Sequence, residues 1–187
     1  MTPPKFILVL WPAIDKLLKA IRGIKPLKAD SNSIISLNFR RYNSRPVTLD
    51  DGSEVKTGDT IIELHMDNAW FKNWRKRDTK ASHSLWEIPR QLKQDLYLLA
   101  EHIVNGVYKD VVALHGYTLH DKEAKRLGFQ VSDLPDTLWK EASYFYIAGL
   151  MLRAGKNESK LKKRPSEIKE IWLSRAALLT RYGAKHR

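Results

Sequence analysis

Apolar and polar positions alternate with two distinct periods along this chain, and the switches between them outline its elements. Ile14, Leu17, Leu18, Ile21 and Ile24 recur at helical spacing with Asp15, Lys16, Lys19, Arg22 and Lys25 between them. Together with the apolar run at residues 6–10 they predict an amphipathic helix over about 5–23, ended by Gly23 with Pro26 just beyond. From Ser33 to Tyr42 the period becomes two: Ile35, Leu37 and Phe39 point one way, and Ser36, Asn38 and Arg40 the other. This is the pattern of a half-buried strand. Val47–Leu49 and Glu54–Lys56 read as short strands about an Asp51-Gly52 turn, and Gly58-Asp59 turns the chain into a strand over 60–66.

Residues 68–88 have no clear period. Helical spacing returns from Pro89 through Leu92, Leu96, Leu99 and Ile103, closed by Asn105-Gly106. Val111–Leu114 reads as a buried strand, 119–127 as a short helix ending at Gly128, and Phe129–Val131 as a strand. Asp133 or Asp136 would cap a helix with Leu138, Ala142, Phe145 and Leu152 on its core face, stopped at Gly155. Ile168–Leu173 fits neither period. Ser174 has the chemistry of an N-cap for a last helix, 175–182, stopped at Gly183. The order predicts an α+β fold: a mixed, mainly antiparallel sheet with packed helices, one domain over 1–187.

Charge changes this picture more than composition does. The net charge is +12, which suits acidic partners such as anionic lipid, envelope polysaccharide or nucleic acid. The last is the weaker candidate, because no RNP, KH or zinc-finger pattern accompanies Trp74 and its basic neighbours. The candidate anion-binding side chains are Lys72, Arg75, Lys76 and Arg77, and Lys162, Lys163 and Arg164, in segments expected to be mobile (about 72–84 and 156–167). Solvated loops are the alternative reading of both runs. The N-terminal helix likewise suits either the core or the surface of a membrane. Nothing in the sequence has the length of apolar residues that a membrane-spanning helix needs, and residues 6–10 make a poor signal peptide, so a cytoplasmic protein, peripheral on the inner face of the membrane, is expected. There are no cysteines, which excludes disulfides, thiol nucleophiles and thiolate metal sites.

Polar chemistry concentrates in one strand. Alternation after Gly58 puts Glu63, His65 and Asp67 on one face, with Asn68 at the strand end. His65 is the candidate general base, oriented by Glu63 or Asp67, with Asn68 and Thr118 positioning substrate. The competing reading pairs Glu63 and Asp67 with Arg40 or Arg41 on the neighbouring strand. A metal held by this row with His115 and His120 is disfavoured, since residues two apart on a strand do not converge without a bulge. No nucleotide-binding glycine pattern is present, and no cofactor is assigned.

Three ordered motifs carry a resemblance. Gly58-Asp59 with Glu63-Leu64-His65-x-Asp67-Asn68, then Gly116-x-Thr118-Leu119 with Arg126-Leu127-Gly128-Phe129, then Trp172-Leu173-Ser174-Arg175 with Arg181-Tyr182-Gly183, resemble the YkoP-like domain over about residues 5–183. That bacterial domain occurs alone or appended to polysaccharide deacetylases. The resemblance implies association with envelope polysaccharide without naming a reaction. A second, topological resemblance is to GNAT acyltransferases, in which a short helix ending in Gly-Phe follows the strand beside the acyl-donor site. It implies acyl transfer to an envelope lipid or polysaccharide. The region of the expected pyrophosphate loop, Arg77–His83, has no glycine. A non-catalytic basic module at a membrane or polysaccharide surface is the alternative, and oligomeric state stays open.

Overall fold

The computed structural model describes residues 21–28, 33–67, 70, 87–134 and 168–183. In chain order these hold β1 (Lys25–Pro26), β2 (Ile35–Arg41), β3 (Val47–Thr48), β4 (Glu54–Val55), β5 (Thr60–Met66), α1 (Glu87–Val104), β6 (Val111–Thr118), α2 (Asp121–Arg126), β7 (Gln130–Asp133), β8 (Lys169–Ser174) and α3 (Arg175–Tyr182). Six strands form one sheet in the order β1-β2-β5-β6-β8-β7, and β3 pairs with β4 separately. Only β5 and β6 run parallel among these neighbours; the other pairs are antiparallel. The fold is therefore α+β, with a mixed, mainly antiparallel sheet. The parallel pair needs a crossover, and α1 lies on that connection.

One sheet face carries the helices. Leu96, Leu99, Ala100 and Ile103 of α1 pack with Ile35, Leu37, Ile62, Leu114 and Leu173 of the sheet and with Leu178 and Tyr182 of α3. Asp95 is fully buried in this layer. Its Oδ2 accepts from the Ser33 hydroxyl at 2.8 Å and the Ile34 N–H at 2.7 Å, and its Oδ1 from the Gln91 amide at 3.1 Å. The carboxylate thus ties α1 to the start of β2. At one end of the opposite face the β3–β4 hairpin covers Ile61, Ala113 and Trp172 through Leu49, Val55 and Tyr42.

Local signals account for many boundaries. Strand β5 and helix α3 occupy the expected residues. Ser174 accepts from the Ala177 N–H at 2.8 Å, as an N-cap does. At Gly183 a β-carbon would stand 2.4 Å from the Leu179 carbonyl oxygen, so the helix stops where a side chain would not fit. Helix α1 begins at Glu87, just ahead of the expected Pro89, which sits in its first turn, where a missing N–H costs nothing.

Several expectations need correction. Strand β2 is buried on both faces from Ile35 to Asn38, not on one. Strand β6 runs on to Thr118, through His115 and Gly116, past the expected end at Leu114. The ambiguous 168–173 stretch is strand β8. Its periodicity is hidden because it lies between β6 and β7 with Trp172 and Leu173 buried on opposite faces. Consequently β6 and β7 are not neighbours, although the strand–helix–strand pattern suggested a unit. Asp133 is the last residue of β7, and the helix it was expected to cap lies outside the described residues. Of the N-terminal helix only its end at 21–23 is described; residues 5–20, the 133–155 helix beyond Leu134 and the two basic segments lie outside the described residues. Among the described residues no helix is long and apolar enough to cross a membrane.

Candidate functional site

Strand register builds the site. Across the sheet Asn38 pairs with Glu63, Glu63 with His115, His115 with Trp172, and Trp172 with Gln130. Residues directly opposite one another point to the same face. Five strands therefore contribute one row of side chains to the face opposite α1. Asn38, Glu63, His115 and Trp172 are all buried. A second row, one pleat further along, holds Ser36 opposite His65, and Tyr117 opposite Glu170, which in turn faces Ser132. A buried face this polar requires internal partners, since an unsatisfied polar group costs about 1–3 kcal/mol.

The partners form two histidine–carboxylate pairs. In the first, Glu63 Oε2 lies 3.2 Å from Arg40 Nη1 and Glu63 Oε1 lies 3.4 Å from His65 Nε2. In the second, His115 Nε2 is 2.9 Å from Glu170 Oε1. The second is the tighter. The His115 ring also lies 4.2 Å from Trp172 and 4.9 Å, edge to face, from Tyr117, measured between centroids. Its Nδ1 is buried with no hydrogen-bond partner. A carboxylate accepts only, so Nε2 carries a proton towards Glu170, and in the neutral ring the lone pair sits on Nδ1.

The surroundings tune both acids. Burial alone would raise the Glu170 carboxyl. The hydrogen bond and charge of His115, with Trp172 and Ser132 adding to them, outweigh it and hold the pKa below the ordinary value. The Tyr117 phenol is pushed up to about 12, first by burial and then by the charges of Glu170 and Glu63. Tyr117 therefore keeps its proton at neutral pH, and its hydroxyl is available to donate a hydrogen bond.

The residues singled out from the sequence separate here. Glu63 and His65 share the face and meet. Glu63 also pairs with Arg40 on β2, as the competing reading held. Asp67 lies beyond the end of β5. Its Oδ2 accepts from the Ser36 hydroxyl at 2.9 Å and its Oδ1 from the Trp70 N–H at 3.0 Å, so it fastens the strand end to β2 and to the buried Trp70. Thr118 falls, by alternation along β6, on the face opposite His115 and Tyr117. Its hydroxyl accepts from the His120 N–H at 2.9 Å, which sets the turn into α2. It is therefore not brought to His65. Asn68, Lys72, Arg75, Lys76, Arg77, Lys162, Lys163 and Arg164 lie outside the described residues. Among the described residues no three or more His, Asp or Glu side chains converge as metal ligands.

Glu170, Trp172 and Tyr117 were not anticipated, and His115 only as a possible ligand. The signal existed in part. Glu170 and Trp172 are two apart on β8, and His115 and Tyr117 two apart on β6. That these pairs face each other depends on a register between segments more than 50 residues apart in sequence.

The family model described as YkoP domain matches residues 4–182. Among known proteins the chain is similar to Uncharacterized protein YkoP of Bacillus subtilis (strain 168), with 23% identity over 125 residues, covering 66% of this chain and 68% of that protein. No solved structure matches.

Proposed function

The chain belongs to the YkoP domain family, and within it we propose an enzyme that transfers an acyl group to a hydroxyl or amine of an envelope lipid or polysaccharide, with His115 as general base. One observation carries the reading: His115 Nε2 is held by Glu170 at 2.9 Å while Nδ1 is buried and unpartnered. A base oriented by a second group, with its lone pair left for a third, is the arrangement that acyl transfer uses. The strand order is the second support. Parallel β5 and β6, joined through α1, stay paired only to Glu63–His115, while β6 continues to Thr118 along β8. That layout leaves the ends of β5 and β6 without a shared ladder beside the histidine.

In this reading His115 Nδ1 takes the proton of the acceptor hydroxyl as its oxygen attacks the acyl carbonyl. The carbonyl electrons move to oxygen, and the Tyr117 hydroxyl, protonated at neutral pH, donates to that oxyanion. Collapse re-forms the carbonyl and breaks the bond to the leaving group, which takes the proton from His115. Glu170 positions the ring and stabilises the imidazolium. His65, with Glu63 beside it, becomes a neighbour of the base in this account, not the base itself.

The experiment is turnover of an activated ester, p-nitrophenyl acetate, with and without a polyol acceptor. His115→Gln should abolish acyl transfer, and His65→Gln should reduce it less. Wild-type turnover in a folded His115→Gln protein would overturn the assignment. The alternative, a non-catalytic basic module on anionic lipid or polysaccharide, is favoured by the net charge of +12. It expects surface binding that is indifferent to His115.

A further inference from the structure

On the sheet face opposite His115, at the β1–β2 edge, lies a cavity of about 460 Å³. Its wall is apolar and aromatic: Leu37, Phe39 and Tyr108, with Pro26. Phe39 and Tyr108 lie at a tilt with centroids 4.7 Å apart, and the His102 ring lies 5.6 Å from Tyr108, edge to face. Phe39 nonetheless remains 39% exposed, so the ring pair presents apolar surface to solvent. Ile21 and Val107, next in sequence to Arg22 and Tyr108, are exposed as well.

Two cations stand over this wall. Arg22 and Lys25 both line the cavity, both are exposed, and neither has a carboxylate partner among the described residues. Among the described residues the lining contains no Asp, Glu, Asn or Gln. No described lining side chain would neutralise the cations. The cavity falls within the size range of small-molecule sites and exceeds what a single phosphate needs.

We propose that this cavity binds an amphiphilic anion, a phosphate- or carboxylate-headed alkyl chain. The headgroup sits between Arg22 and Lys25, and the chain lies over Leu37, Phe39 and Tyr108. The site goes beyond the acyl-transfer reading and is independent of it, since it shares no residue with the His115 face.

The test uses the full chain and dodecyl phosphate below its micelle concentration, followed by calorimetry. The Arg22→Glu/Lys25→Glu variant should bind about tenfold or more weakly, because the charge-assisted bonds to the headgroup are replaced by repulsion. Phe39→Ser should weaken binding without changing its salt dependence. Lys122→Glu/Lys125→Glu, the same charge change on the exposed face of α2, should match wild type. Phosphatidylcholine vesicles with and without phosphatidylglycerol identify the source of the headgroup. Loss of vesicle binding in the Arg22/Lys25 variant beyond that of the Lys122/Lys125 variant assigns a membrane lipid. Binding of dodecyl phosphate alone, with equal vesicle behaviour of the two variants, assigns a free amphiphile. Three results would overturn the proposal: equal dodecyl phosphate affinity in the two charge-reversed variants, equal affinity for dodecyltrimethylammonium, or inorganic phosphate binding as tightly as dodecyl phosphate. Far-UV circular dichroism establishes that each variant is folded.

Discussion

Arg181 lies across Gly128: a β-carbon at residue 128 would meet the Arg181 Cδ at 3.0 Å, and the backbone there has φ +90°. The same arginine donates to the Arg126 carbonyl, and the Tyr182 hydroxyl donates to the Leu127 carbonyl at 2.8 Å. Two motifs more than 50 residues apart therefore meet. The end of α2 is capped by the last turn of α3.

Gly128→Ala is expected to destabilise the protein by about 1–2 kcal/mol, the cost of forcing an L-residue into a left-handed backbone. Urea unfolding midpoints measure it. In an Arg181→Ala background the added cost of Gly128→Ala should be smaller, because the steric part is gone while the backbone part remains.

Asp95→Ala should be among the most destabilising substitutions in the described core. It leaves the buried Ser33 hydroxyl and Ile34 N–H without their acceptor. Each stranded donor costs about 1–3 kcal/mol. Asp95→Asn keeps one carbonyl oxygen and should cost less. Chemical denaturation of both variants separates the two, and equal losses would mean that packing, not hydrogen bonding, gives Asp95 its role.

Glu170 sets an acid limb of stability. Its folded-state pKa is held below the ordinary 4.5. A carboxyl depressed on folding contributes stability above its unfolded pKa and loses it as pH falls through the folded value. Wild-type stability should therefore drop as pH falls from about 5 through the depressed value. Glu170→Gln should be less stable at neutral pH and flatter across that range. Unfolding midpoints measured from neutral to acid pH give both curves.

Gly116 is a test of sheet closeness. A β-carbon there would lie 3.4 Å from the Leu64 carbonyl oxygen and 3.5 Å from Ile171 Cγ1. Alanine fits at ordinary contact distance and should be nearly neutral. Valine overfills the gap and should cost about 1–3 kcal/mol. Thermal midpoints of the two variants check this. If Gly116→Val matched Gly116→Ala, then β5 and β6 would not be in close contact at this level.

Tyr117 should titrate late. With its folded pKa raised to about 12, it loses no proton while an exposed tyrosine does. A phenol raised on folding contributes stability that is full below the unfolded pKa and fades as pH rises towards the folded one. Tyr117→Phe should remove one late step from the tyrosinate absorbance titration. It should also flatten the loss of stability between about pH 10 and 12.

By itself the sequence determined the elements whose signals are local. Period-two alternation after the Gly58 turn is enough to define β5, because a strand's faces are written in adjacent residues. Ser174 and Gly183 bound α3 because caps are made by neighbours in sequence. The α+β class follows from the order of such elements. The candidate site was legible only as far as one strand carried it, at Glu63 and His65. Tertiary structure decided the rest. Which strand lies beside which is set by the packing of α1, α2 and α3 against one face, and no local pattern records it. Insertion of β8 between β6 and β7 brings Glu170 and Trp172 to His115. The same register buries Ser36 and Asn38, which alternation alone would leave in water. Thr118, three residues from His115, falls on the far face for an equally simple reason: along a strand, odd spacing separates side chains that sequence proximity seems to join.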